Sequence, residues 1–395
     1  MASTILLTGA TGFLGSALAA NLLREGHRVL CLGRSGPDKI RRAVEQASVA
    51  VGWALTPEER SRLEAAHWEL GAEPGQLPPK GLDQVDMVWH CAAEMSYSRK
   101  RSFNSMITNV AGSVGLLRVL KRHAPNCRRF HYVSTAYSAG LHRGPVPENL
   151  VVPDHFLNGY QMSKSMTELS LAQEAAGSHI ALSIIRPSIC VGHSKTGAYE
   201  GSTFGLYMFL ESYRKLNKAG VNAVRMDLDP TAQLNLLPID QGLRDFMALT
   251  NRDQSRLPAL EVLNCVGDYV PIGAVMEETE ICLGTRIECG KPKNLIDQVY
   301  DRAVRANKEF AGHRYRFSVE AANRETGRVR GNMMESSVLK KIVHTYFHVT
   351  RDEPLTRCWK ERMRFALVSV YAKVVAPEPP ASRPGTIHEK PRRVG

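Results

Sequence analysis

The chain has 395 residues, 43% hydrophobic and 23% charged, which can bury one large core or two joined lobes and argues against a disordered polymer. No apolar run approaches the roughly 20 residues that a bilayer-spanning helix needs. The net charge of +12 is uneven: residues 290–395 hold 22 Lys/Arg against 11 Asp/Glu, whereas the first 289 residues hold 29 against 28.

The opening MASTILLTGATG enters a glycine loop at once, with no basic start and no small-residue cleavage site, so no signal peptide is expected. STILLTGA reads as a short apolar strand. FLGSALAANLLREG has helical spacing, with Leu14, Ala17, Leu18, Leu22 and Leu23 on one stripe, and it closes at Gly26 before a second strand, HRVLCLGR. Strand, helix and strand packed this closely favour a parallel sheet with crossover helices. Residues 36–66 are charged and read as helical; 85–93 is a buried strand, 109–124 a helix, and RFHYVSTAYSAG (129–140) a strand running into a loop. Another helix begins within LNGYQMSKSMTE, and IALSIIRPSICVG (180–192) is a strand broken by Pro187. Residues 193–205 are loop-rich, 206–220 a helix, 234–250 a strand then a helix, 259–267 a strand, and 268–376 mostly helical and basic. The proline-rich tail 377–395 is expected to be disordered. The expected class is α/β: a Rossmann-type doubly wound parallel sheet over 1–192, completed by about 235–267. A smaller, mostly helical substrate-binding region is expected from 193–234 and 268–376.

TGATGFLG places Gly9, Gly12 and Gly15 three apart between the first strand and the first helix. Gly9 allows the tight turn, Gly12 lets backbone approach a pyrophosphate, and Gly15 lets helix and sheet pack closely, with the helix N-terminus facing the phosphate charge. The loop, with Thr11, Phe13 and Leu14, is the expected cradle of a dinucleotide. At the end of the second strand an acidic residue would hold ribose hydroxyls; CLGRS instead offers Arg34 and Ser35. A guanidinium pairs with a 2′-phosphate, so NADP(H) is the expected cofactor, with Arg42 as a second contact or a plain solvent-facing residue.

Tyr160 and Lys164 lie four apart and share a helical face. A phenol is a poor acid-base catalyst at neutral pH, but a neighbouring ammonium stabilises the phenolate. VSTAY, at the end of the preceding strand, offers Ser134 and Thr135. A hydroxyl there and the Tyr160 phenol can together grip a carbonyl oxygen as negative charge develops on it.

With TGATGFLG, HCAA, VSTAY, GYQMSK, RPSI and NLLPID, roughly the first 265 residues resemble an extended short-chain dehydrogenase/reductase. TGATGFLG with VLCLGRS, YVSTAY, GYQMSKSMTE and RPSICVG looks most like the thioester reductase and fatty acyl-CoA reductase branch. The resemblance implies that Thr135, Tyr160 and Lys164 are catalytic, that Tyr160 and Lys164 also belong to the cofactor site, the lysine bonding the nicotinamide ribose, and that Asn109 supports the region of the lysine. Cys91, Ala92 and Ala93 would lie on the adenosine side, and Pro187, Ser188 and Ile189 at the nicotinamide. The family's GD dipeptide, whose aspartate meets adenine, is missing; WELGAEPG has Ala72 after Gly71, with Glu73 or a backbone contact as the substitute. The implied reaction is NADPH-dependent reduction of an acyl thioester, on coenzyme A or a carrier protein, to an aldehyde or an alcohol. The same groups would serve an enzyme acting on a free ketone, aldehyde or alcohol, or a nucleotide-sugar epimerase.

The eight cysteines, at 31, 91, 127, 190, 265, 282, 289 and 358, form no CxxC pair, which argues for a reducing cytosol. The histidines show no metal-like clustering, so no metal is expected, and His90 reads as a structural neighbour of the cofactor. Arg99, Lys100 and Arg101 either meet coenzyme A or phosphopantetheine phosphates or simply open a helix. The basic C-terminal third suits an acidic partner, a carrier protein included, or a solvated surface. TRCWKERMRFALVSVYAKVVA (356–376) suits peripheral membrane contact, a partner, or its own core. Nucleic acid is not expected, because no finger or aromatic-basic sheet motif accompanies the charge.

Overall fold

The computed structural model describes residues 2–70, 80–95, 102–198, 204–328 and 331–353. Strand β1 (Thr4–Thr8) leads through the glycine loop into α1 (Phe13–Arg24), whose Leu18, Leu22 and Leu23 are fully buried. β2 (Arg28–Gly33), α2 (Pro37–Ala50), the one-turn α3 (Pro57–Ser61) and β3 (Leu63–His67) follow. Here the helical expectation for 36–66 is corrected, because its end is a strand running parallel to β2 with Leu63 opposite Val29. A capping box of Thr56 and Glu59 starts α3. The strand LEAAH, at the edge of the sheet, carries one large apolar residue and no readable alternation.

The chain continues through β4 (Met87–His90), α4 (Ser102–Met106), a π-helical turn (Ile107–Ala111), α5 (Gly112–His123) and β5 (Arg129–Val133). After the short β6 (Pro145–Val146) comes α6 (Gly159–Ala175), capped by Asn158, whose side chain accepts from the Gln161 amide at 3.0 Å. β7 (Ala181–Ile185) pairs with β5, but beyond Pro187 the strand β8 (Ile189–Val191) leaves the sheet. Next come α7 (Leu206–Lys218), β9 (Ala223–Met226), β10 (Gln233–Pro238), α8 (Ile239–Thr250) and β11 (Leu260–Leu263). The main sheet has seven parallel strands in the order β3-β2-β1-β4-β5-β7-β11. Its order reverses between β1 and β4, where a doubly wound sheet opens its binding crevice.

The remaining elements are β12 (Asp268–Pro271), α9 (Ile272–Leu283), β13 (Arg286–Cys289), α10 (Leu295–Ala303), α11 (Arg305–Gly312), β14 (Arg316–Phe317), α12 (Glu320–Thr326) and α13 (Ser336–Val349). β10 sits between β8 and β12 in a second sheet, β13 pairs with β9, and β14 with β6. The central strands are covered on both faces, which explains their unbroken apolar runs. Ile5 and Leu7 pack with Leu18, Trp89 and Phe246 on one face; Leu6, Val88 and Phe130 pack with Leu116, Leu120 and Leu171 on the other. A separate core joins Leu206, Phe209, Tyr213, Leu236, Ile272, Val343 and Tyr346. The seven described cysteines are free, and no helix among the described residues is long and apolar enough to cross a membrane.

Candidate active site

A cavity of about 370 Å³ lies at the carboxyl ends of β1, β4, β5 and β7. Gly9, Thr11, Gly12, Phe13, Leu14 and Gly15 form one wall. Gly9 has φ +82°, and a Cβ there would lie 2.7 Å from the Ala92 nitrogen; a Cβ on Gly15 would overlap the Gly9 carbonyl. Gly12 is the N-cap of α1 and offers no capping side chain, so the first amides of the helix remain available to an anion. This cradle, whose three glycines admit close backbone approach and which the β4 loop closes, fits a dinucleotide pyrophosphate.

Cys91 and Ala93 line the cavity next to the loop, and Pro187, Ser188 and Ile189 line it from the end of β7. Ala92 stands behind this wall, donating its amide to Thr8 Oγ1 at 3.2 Å. His90 stands behind it too: Nδ1 pairs with Thr8 Oγ1 at 2.6 Å and Nε2 with Ser113 Oγ at 2.8 Å. Burial, and then the Lys164 charge, push the His90 imidazole down to about 3, so it is a neutral structural group. Asn109, buried on the π-helical turn, accepts from the Glu94 amide at 2.7 Å and donates to the Glu94 carbonyl and to Ser163 Oγ at 2.9 Å. It thus ties the β4 loop to the residue beside Lys164 without reaching the cavity. Arg34 and Ser35 end β2 and Arg42 lies on α2; both arginines are exposed, and none of the three lines the cavity.

Thr135, Tyr160 and Lys164 do line it together. Lys164 is 2% exposed; its ammonium donates to the Val133 carbonyl at 2.7 Å and lies 4.7 Å from the centre of the Tyr132 ring. Burial pushes its pKa down to about 8, against the raising influence of Cys91 and Glu168. Two hydroxyls were open at the end of β5, and they have different partners. Ser134 Oγ donates to the Glu168 carboxylate, whereas Thr135 Oγ1 accepts from the Tyr137 amide at 3.4 Å and keeps its proton available.

Glu168, Ser138 and Arg186, to which the sequence alone assigns no role, form a buried network behind Thr135. Glu168 follows Lys164 by one helical turn, a spacing that was legible; its partners, Arg186 just beyond β7 and the serines around Thr135, were not. The outer wall, Met95, Tyr137, Phe204, Met208, Leu234 and Phe310, gives the cavity an apolar end; Phe204, Met208, Leu234 and Phe310 come from the expected substrate-binding ranges, whereas Met95 and Tyr137 carried no sequence signal. Arg99, Lys100, Arg101, Ala72, Glu73, Cys358, the segment 356–376 and the tail lie outside the described residues. Among the described residues, no group of three metal-ligating side chains converges.

The NAD-binding family model described as "Male sterility protein" matches residues 7–245. Fatty acyl-CoA reductase 1 of Mus musculus is 28% identical over 235 residues, covering 50% of this chain and 45% of the reductase. The terminal R domain from the myxalamid PKS-NRPS biosynthetic pathway superposes with a TM-score of 0.71 at 21% identity, covering 89% of this chain and 92% of that one. A thiolation-reductase di-domain from an archaeal non-ribosomal peptide synthetase gives 0.65 at 16% identity, covering 89% and 76%. These two likenesses establish the fold. The chain spans less than half the length of the curated relatives it matches.

Proposed function

We propose that this chain, which belongs to that NAD-binding family and is an NAD(P)-binding oxidoreductase of the extended short-chain dehydrogenase/reductase type, acts as the thioester reductase and fatty acyl-CoA reductase branch does, using NADPH to reduce an acyl thioester to an aldehyde, and to an alcohol where a second hydride follows. One observation carries the reading: Thr135, Tyr160 and a buried Lys164 share a cavity with the glycine loop. Gly9, Thr11, Gly12, Phe13, Leu14 and Gly15 would hold the pyrophosphate, with Cys91 and Ala93 beside them and Pro187, Ser188 and Ile189 at the nicotinamide end. Arg34, Ser35 and Arg42 would meet the 2′-phosphate from outside the cavity. The bound cofactor supplies hydride.

The protein's own groups handle the oxygen and its proton. Thr135 and Tyr160 donate to the thioester carbonyl oxygen and stabilise the charge that grows there. Tyr160 gives up its proton as the tetrahedral hemithioacetal forms, and the Lys164 ammonium favours the resulting phenolate. When the C–S bond opens, the hemithioacetal hydroxyl returns its proton to Tyr160. The carbonyl reforms as an aldehyde and the sulfur leaves as a thiol after taking a proton from water. The apolar end of the cavity suits an acyl chain. The basic C-terminal third suits the phosphates of coenzyme A or an acidic carrier.

The test is NADPH absorbance with acyl-CoAs, acyl-carrier thioesters, aldehydes and ketones, with NADH run in parallel. Thioester-dependent oxidation of NADPH, faster than of NADH, is expected. Turnover of ketones with none of any thioester would overturn the substrate assignment.

A further inference from the structure

We propose that Glu168 is a positioning residue for Thr135: its carboxylate fixes the turn that presents the Thr135 hydroxyl to the cavity. The inference rests on the reading of Thr135 as a holder of the carbonyl oxygen. Glu168 is 1% exposed and its partner Arg186 is fully buried. Arg186 Nη2 donates to Oε2 at 2.5 Å and Nε to Oε1 at 3.0 Å, a two-pronged pair that already neutralises the carboxylate. Yet Oε1 accepts two more bonds, from Ser134 Oγ and from Ser138 Oγ, the latter at 2.7 Å. Those two serines bracket Thr135, one directly before it and one at the far side of the short 3₁₀ turn Ala136–Ala139 that it caps. An ion pair that served stability alone would gain little from gripping this turn at both ends.

The other contacts of the turn have the same sense. The Ser134 amide donates to the Ile185 carbonyl at 2.7 Å and the Ala136 amide to the Pro187 carbonyl at 2.9 Å, on either side of Arg186. Arg186 is itself held by the Pro147 carbonyl at 3.2 Å. The carboxylate therefore joins three segments whose residues line the cavity: the end of β5 with Thr135, the end of β7 with Pro187, and α6 with Tyr160 and Lys164. Because Glu168 lies one turn beyond Lys164 on α6, the lysine and the threonine take their places from one helix.

Ser134→Ala/Ser138→Ala removes the tethers and leaves the Glu168–Arg186 pair intact, so the fold is retained; where urea unfolding shows otherwise, Ser138→Ala alone carries the test. With the carbonyl substrate the wild type reduces fastest, kcat is expected to fall about tenfold or more while the NADPH Kd stays within about twofold. In a Thr135→Ala background the same serine changes are expected to cost less than about twofold, because Glu168 acts through Thr135. Independently of turnover, hydrogen exchange of the Ser138 amide, which donates to the Thr135 carbonyl at 3.0 Å, should accelerate while β5 amides do not change. Unchanged kcat in the serine variant, or a full further loss in the Thr135→Ala background, overturns the inference. A wild type that reduces aldehydes or ketones but no thioester sinks only the substrate assignment, because the cycle is then read with those carbonyls. One that reduces none of them sinks both.

Discussion

Lys164→Met separates the energetic cost of the buried ammonium from its use. Burial holds this lysine at about 8 against an ordinary 10.5. At about 1.4 kcal/mol for each tenfold change in proton affinity, the folded protein carries a penalty of about 3 kcal/mol at neutral pH. The folded pKa lies below the unfolded one, so between the two the unfolded chain binds the extra proton. Stability therefore rises with pH across that window, and the penalty fades as pH approaches 10.5. The methionine variant lacks this dependence. It also loses the bond to the Val133 carbonyl and the contact with Tyr132, a cost of about 1–3 kcal/mol that is the same at every pH. Urea unfolding of both proteins at about pH 7 and about pH 10 cancels that constant. The wild type should gain about 2–3 kcal/mol on the variant between the two conditions. The variant should also be inactive. A difference that stays flat within about 0.5 kcal/mol would show that the amine is not a desolvated cation in the fold, and the phenolate argument would lose its charge.

Three further outcomes follow from the same geometry. Tyr160→Phe should lower kcat by about 10²–10⁴ while fluorescence titration leaves the NADPH Kd within about twofold, since on the proposed reading the phenol's main task is to move a proton. Arg34→Ala should weaken NADPH about tenfold and leave NADH nearly unaffected, measured as the two Kd values; equal losses would place the guanidinium away from the 2′-phosphate. Gly15→Ala puts a methyl group against the Gly9 carbonyl, a backbone atom that cannot step aside without moving the loop. It should weaken dinucleotide binding by about tenfold or more and lower the unfolding midpoint.

The residues that sequence alone brought forward share one property: their roles are written locally. Gly9, Gly12 and Gly15 act through their own backbone, and Tyr160 and Lys164 face the same way because a helix turns every 3.6 residues. The edge strand Leu63–His67 escaped because burial on an edge asks little of LEAAH, so no pattern forms. Glu168 escaped for another reason. Its spacing from Lys164 was plain, but a glutamate on a helix reads as solvated until Arg186, 18 residues away, and the serines 34 and 30 residues before it are brought onto one carboxylate. Burying a charge costs too much to occur without such partners. A fully buried glutamate therefore asks what it holds, and here the answer is the turn that carries Thr135.

Partners also distinguish Ser134 from Thr135. Both end β5, both are hydroxyls, and both line the cavity. What separates them is a proton. The Ser134 proton is committed to Glu168, whereas the Thr135 oxygen only accepts a long bond and has its hydrogen to give. An oxyanion holder must be a donor at the moment charge develops, without first breaking a bond to a carboxylate. Of the two adjacent hydroxyls, the one with fewer protein partners is thus the better candidate for chemistry, and the better-bonded one is part of its mount.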